Sequence, residues 1–151
     1  MKNSPEFKYY RRHSISYFIF GIIIEAISLL VIMAMGEEAK KDSTSIFISV
    51  AAILALLASI YYLVVAIIIY KTPKDKVNEV VLNNKVENKN GQFFGFIVSV
   101  DIGGKKSKVE TLKLYGIQKN SFYKLEDYIN STCKVAYNKT LKKAVIVEFI
   151  D

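Results

Sequence analysis

Two long apolar runs, Ile15 to Met35 and Ile46 to Tyr70, constrain this chain more than anything else in it. At a rise of about 1.5 Å per residue the first reaches roughly 31 Å as a helix and the second somewhat more, against a bilayer hydrocarbon core of about 30 Å. Each is long enough to cross a membrane in one pass. The composition supports that division, because 52% hydrophobic residues sit beside 23% charged residues and the two characters are segregated along the chain.

The organisation expected from this segregation is a basic flank over 1–14, a transmembrane helix over 15–35, a loop over 36–45, a second transmembrane helix over 46–70, a linker over 71–76 and a small β domain over 77–151. From Lys71 onward fifteen lysines face nine Asp and Glu residues. About eighty residues support one modest core and no more. Cys133 is the only cysteine, which excludes an intramolecular disulfide and a four-cysteine metal site.

The basic flank followed by an apolar run has the outline of a signal peptide. The run is too long for a signal core, carries Glu25 near its middle and ends in Met33-Ala34-Met35-Gly36 without a persuasive cleavage site, so retention is expected. Lys2, Lys8, Arg11 and Arg12 precede the first helix, Lys71, Lys74 and Lys76 follow the second, and only Lys40 and Lys41 lie between. The positive-inside bias then puts both termini of a two-pass protein in the cytoplasm.

Within the hairpin, helical spacing aligns Gly21, Glu25, Ser28 and Ile32 along one stripe. A carboxylate at mid-bilayer is costly, about 3 kcal/mol on insertion scales, so Glu25 is expected to face protein or water, with Ser59 as the nearest depth-matched candidate partner and Tyr61 and Tyr62 next. Ala51, Ala55 and Ser59 form a small-residue seam on which a helix can approach closely, with Gly21 expected opposite its later part. A packing contact that fixes hairpin or oligomer register accounts for Glu25 more simply than a proton or ion site does.

Tyr9, Tyr10, Tyr17, Phe18 and Tyr70 collect at one pair of helix ends, beside Arg11, Arg12 and Lys71, and read as interfacial anchors in contact with lipid headgroups. His13 is the only histidine and has no second ligand at metal-binding spacing. No cofactor or metal is expected.

Thr72-Pro73 ends the second helix, because proline has no amide donor and restricts the residue before it. Val80 to Glu87 and Phe93 to Ile102 read as strands joined through Asn90-Gly91, with Phe94, Phe96, Val98, Val100 and Ile102 on one face. Gly103-Gly104 turns into a strand over Lys106 to Leu114. A short helix around Tyr123 to Ile129 precedes a closing hairpin of Cys133 to Tyr137 and Ala144 to Phe149. Five short strands and one helix suit an OB-like or SH3-like five-stranded barrel. Lys105, Lys106 and Lys108 form the densest basic cluster, and attraction to anionic lipids explains it better than nucleic acid, since the lysines are not interleaved with exposed aromatics.

The segments Val80-Val81-Leu82, Phe93 to Val100, Gly104-Lys105-Lys106, Lys134 to Asn138 and Ala144-Val145-Ile146 resemble a large bacterial family of membrane proteins of unknown function. That family joins one or more transmembrane helices to a small β domain. Its closing pattern, Gly-Asp-x-Val-x-Val-x-Tyr-Asp-Pro followed by an Ala-x-Val/Ile strand, is matched at Val135, Tyr137, Asn138, Ala144 and Ile146. Asn130-Ser131 stands at the glycine region, Cys133 at the first valine and Lys139 at the proline. The resemblance implies a fold and an environment but no reaction.

Asp101, Glu110, Glu126 and Asp127 form no recognisable pair with a base or metal ligand, and the β domain has no histidine to activate Cys133, whose strand pattern implies burial. The chain is therefore expected to be non-catalytic, an integral membrane accessory or scaffold protein presenting a β domain to a protein partner, with homo-oligomerisation open. The alternative is a self-immunity or transport-linked protein that uses Glu25 and the helix hairpin directly.

Overall fold

A computed structural model describes residues 4–36, 43–73, 77–87, 93–112 and 128–150. Among them are two helices and six strands: α1 (Pro5–Met35), α2 (Ser43–Tyr70), β1 (Val77–Val81), β2 (Asn84–Glu87), β3 (Phe93–Ile102), β4 (Lys105–Glu110), β5 (Thr132–Asn138) and β6 (Lys143–Phe149). They form two compact units, one of residues 10–65 and one of residues 1–9 together with 66–151.

The first unit is an antiparallel helix pair. Ser14 and Ser59 meet at one level, with hydroxyls 3.4 Å apart and Ser59 Oγ donating to the Ser14 carbonyl at 2.9 Å. Ser28 and Ser49 meet at another, at 3.2 Å. Between them Gly21 lies against α2 so closely that a Cβ there would stand 3.0 Å from Leu56 Cγ and Cδ2 and 3.4 Å from the Ala52 carbonyl. Small residues at the contact let the backbones approach. Both helices contain apolar segments long enough to cross a membrane, with mean hydropathy 2.4 and 2.8, and most of that apolar surface is not covered by protein.

The α1 helix starts ten residues ahead of the apolar run. Ser4 caps it, its carbonyl accepting from Lys8 N–H at 3.1 Å and its hydroxyl from Phe7 N–H at 3.4 Å, and Pro5 occupies the first helical position, where a missing amide is harmless. The basic flank expected over 1–14 is thus helical from Pro5.

The second unit contains two antiparallel three-stranded sheets, ordered β1-β5-β6 and β2-β3-β4. Phe96, Val98 and Val100 alternate inward on β3, and Cys133 and Val135 on β5, while Ser99 and Asp101 face out, so the period-two pattern decides the core. The Phe94 side chain lies outside the described residues. Thr111, just past β4, makes one parallel bridge to Ala144 of β6, and Lys143 Nζ reaches Glu110 at 2.6 Å, linking the two sheets.

No closed barrel forms among the described residues, which corrects the five-stranded OB-like or SH3-like expectation. The stretch read as one strand from Val80 to Glu87 breaks at Leu82-Asn83. Leu82 is fully buried, donates its amide to the Ser131 carbonyl and accepts from Asn130 N–H, each at 3.0 Å, and so leaves the ladder. Its two sides then join different sheets. The hairpins across Gly103-Gly104 and across 138–143 are as expected, and both glycines sit at positive φ (66° and 88°), where a side chain would be strained. The Asn90-Gly91 turn and most of the helix expected at 123–129 lie outside the described residues.

Candidate functional site

Two polar residues fasten the helix ends into the β unit. Glu6, in the first turn of α1, is fully buried. Its Oε1 accepts from Ile146 N–H at 3.0 Å, and its Oε2 accepts from the Ser4 hydroxyl at 2.9 Å. The Ile146 amide points off the outer side of β6, an edge strand, next to a bulge where Val147 has no partner between the pairs Lys134–Glu148 and Val135–Ile146. An edge amide in a dry interior needs an acceptor, and Glu6 supplies it. Desolvation pushes the Glu6 carboxyl up from 4.5 to about 7, against the lowering effect of the hydrogen bonds from Ile146, its own amide and Ser4.

At the other helix end Asn138, buried at the close of β5, donates from Nδ2 to Thr72 Oγ1 at 2.6 Å and to the Ile68 carbonyl at 3.2 Å. The last carbonyls of a helix have no internal partner, and Asn138 satisfies one of them. Its Oδ1 accepts from Leu141 N–H at 2.9 Å, so the same side chain shapes the β5–β6 turn.

Beside this joint opens a groove of about 620 Å³. Ile68, Lys71 and Pro73 form the wall contributed by the end of α2, Asp101 and Ile102 the wall from the β3–β4 turn, and Tyr137 and Lys139 the wall from the β5–β6 turn. Lys71 and Lys139 are exposed and have no carboxylate partner among the described residues. Asp101 Oδ1 accepts from Gly104 N–H at 2.7 Å, which holds the turn in place. Two ammonium groups, one carboxylate and an apolar wall suit a small anion with apolar parts.

The residues singled out from the sequence fall differently. Gly21, Ser28, Ala55 and Ser59 are buried in the helix pair, and Ala51 is half-buried while its neighbour Ala52 takes the contact with Gly21. Glu25 is exposed and makes no hydrogen bond or ion pair among the described residues, so the expected pairing with Ser59 is corrected. Ser59 is taken by Ser14. The reason is rotation: the buried face of α1 passes through positions 14, 21 and 28, a seven-residue repeat that leaves position 25 outside. His13 stacks on Tyr62 at 5.3 Å, as does Tyr17 at 5.4 Å.

Arg11, Arg12, Lys71, Lys105, Lys106 and Lys108 are all exposed, and Lys74 lies outside the described residues. Only Lys71 of these lines the groove. Cys133 is buried. Sequence reasoning passed over Glu6, although Ser4-Pro5-Glu6 has the signature of a capped helix start with an acidic first turn. The role of Asn138 is not legible in the sequence, because its partners, Ile68 and Thr72, lie 70 and 66 residues away. Comparison of the chain with known protein families, curated proteins and solved structures yields no match.

Proposed function

We propose that this chain is a two-pass integral membrane protein, of the bacterial cytoplasmic membrane, that acts without catalysis as an accessory or scaffold subunit. The β domain is presented at the membrane surface to a protein partner, in keeping with the resemblance drawn from its closing hairpin. The observation that carries this reading is the double attachment of the helix ends. Glu6 binds the first turn of α1 to β6, and Asn138 binds the last turn of α2 to β5, so each of these helix ends is tied to the β domain. Presentation of a small domain next to a bilayer suits recognition more than chemistry.

The topology is tested by single cysteines at Ser43 and at Lys105, in a Cys133→Ala background, labelled on intact cells with a membrane-impermeant thiol reagent. Labelling at Ser43 alone is the expected result and puts the β domain in the cytoplasm. Labelling at Lys105 alone reverses the orientation and moves the partner to the envelope. Crosslinking from the β domain in membranes, with no reproducible protein recovered, would count against the scaffold role.

Exposed Glu25 favours a second reading, in which the hairpin acts directly in self-immunity or transport. A carboxylate on an apolar helix face is costly unless something outside the hairpin meets it. Loss of a resistance or transport phenotype in Glu25→Gln, with assembly unchanged, is the result that would select it.

A further inference from the structure

We propose that the groove at the end of α2 seats the headgroup of a singly anionic glycerophospholipid that carries hydroxyl groups beyond its phosphate. This inference rests on the membrane reading above. Lys71 is the first residue after the apolar run that ends at Tyr70, so the groove begins where a spanning helix leaves the hydrocarbon for the headgroup layer.

The charges fit that ligand. Lys71 and Lys139 supply two positive charges and Asp101 one negative, leaving one net positive charge for a phosphodiester to neutralise. The phosphate oxygens take the two ammonium groups. Asp101 Oδ1 is already engaged by Gly104 N–H, which leaves Oδ2 to accept from a headgroup hydroxyl. A choline headgroup has no donor to offer there, and its zwitterion leaves the net charge unbalanced.

The shape fits too. A volume of about 620 Å³ lies within the range of sites that hold small organic ligands. Ile68, Pro73 and Ile102 provide apolar surface for the glycerol backbone and the first acyl carbons. The other dense cationic cluster, Lys105, Lys106 and Lys108 on β4, is not part of the lining of this groove, and its lysines are exposed.

The test is native mass spectrometry of the full chain in a non-ionic detergent, titrated with dioleoylphosphatidylglycerol and, separately, with dioleoylphosphatidylcholine. The glycerol lipid is expected to bind more tightly. Lys71→Gln with Lys139→Gln is expected to weaken it about 30-fold, from roughly 1 kcal/mol per lysine. Lys85→Gln with Lys142→Gln removes the same charge elsewhere and is expected to leave binding near the wild-type value.

Equal losses in the two double variants, or equal binding of the two lipids, would overturn the site. Displacement of the lipid by an equal concentration of deacylated glycerophosphoglycerol would assign the groove to a soluble phosphodiester and overturn the lipid source. Alkaline carbonate extraction keeps the two readings apart. Release of the chain refutes membrane integration, whereas retention with no lipid preference refutes the groove alone.

Discussion

Ile146 donates its amide to Glu6 Oε1 across 3.0 Å in full burial, so a side chain from the first turn of α1 completes the hydrogen bonding of an edge strand. This places an ionisable group where burial works against its charge. The folded carboxyl, pushed up to about 7 from 4.5, holds its proton more tightly than the unfolded one does. Its contribution to stability is therefore fully present below pH 4.5 and is lost as pH rises towards 7. In detergent, the unfolding free energy of the wild type relative to Glu6→Gln is expected to fall by about 3 kcal/mol across that window. Chemical denaturation followed by circular dichroism at each end of the window measures it, and a flat difference would mean that Glu6 is not desolvated.

Glu6→Ala tests the hydrogen bond itself. It leaves the Ile146 amide buried without an acceptor, and a loss of about 1–3 kcal/mol is expected at any pH. Hydrogen exchange at Ile146 should quicken more than at Val135, which lies on the central strand of the same sheet.

Asn138→Asp replaces a donor by an acceptor facing the Ile68 carbonyl, so two oxygens oppose each other in a buried site. The expected cost is about 2–4 kcal/mol, larger than that of Thr72→Val, which removes only one partner. A double-mutant cycle between Asn138→Ala and Thr72→Val should show coupling of about 1 kcal/mol, read from chemical denaturation.

In the helix pair, Gly21→Val drives side-chain carbon into Leu56, already 3.0 Å from where a Cβ would stand, and is expected to weaken the hairpin by about 1–3 kcal/mol. Leu56→Ala in the same chain should restore part of the loss. Crosslinking of a cysteine pair at Ser28 and Ser49 reports the outcome, because those hydroxyls lie 3.2 Å apart in the native pair.

Glu25→Leu removes an exposed carboxylate with no partner among the described residues, so the hairpin itself is expected to change by no more than about 0.5 kcal/mol. Any larger effect should appear in the size of the assembly in detergent, measured by light scattering.

The apolar runs were legible because length and composition alone decide them, and the helices cover both. Which face of α1 meets α2 was not legible. The faces are set by mutual rotation, which turned Ala52 in place of Ala51 towards Gly21 and left Glu25 outside. In the β unit, alternation on β3 and the Gly103-Gly104 turn were readable because both are local. The break at Leu82 was hidden. Its backbone partners, Asn130 and Ser131, are almost fifty residues further along, and no proline or glycine marks the position. The groove draws its walls from three separate stretches, so only Lys71 among its charged groups stood out as a basic residue at a helix end.

The 140 residues between Glu6 and Ile146 also impose an order in time. At about 5–20 residues per second of synthesis, the carboxylate waits roughly 7 to 28 s before its donor is made. Both hydrophobic helices are produced within that interval, ahead of the strand onto which Glu6 docks. Its docking onto β6 is thus a late event in the life of the nascent chain, and proton uptake near neutral pH accompanies it.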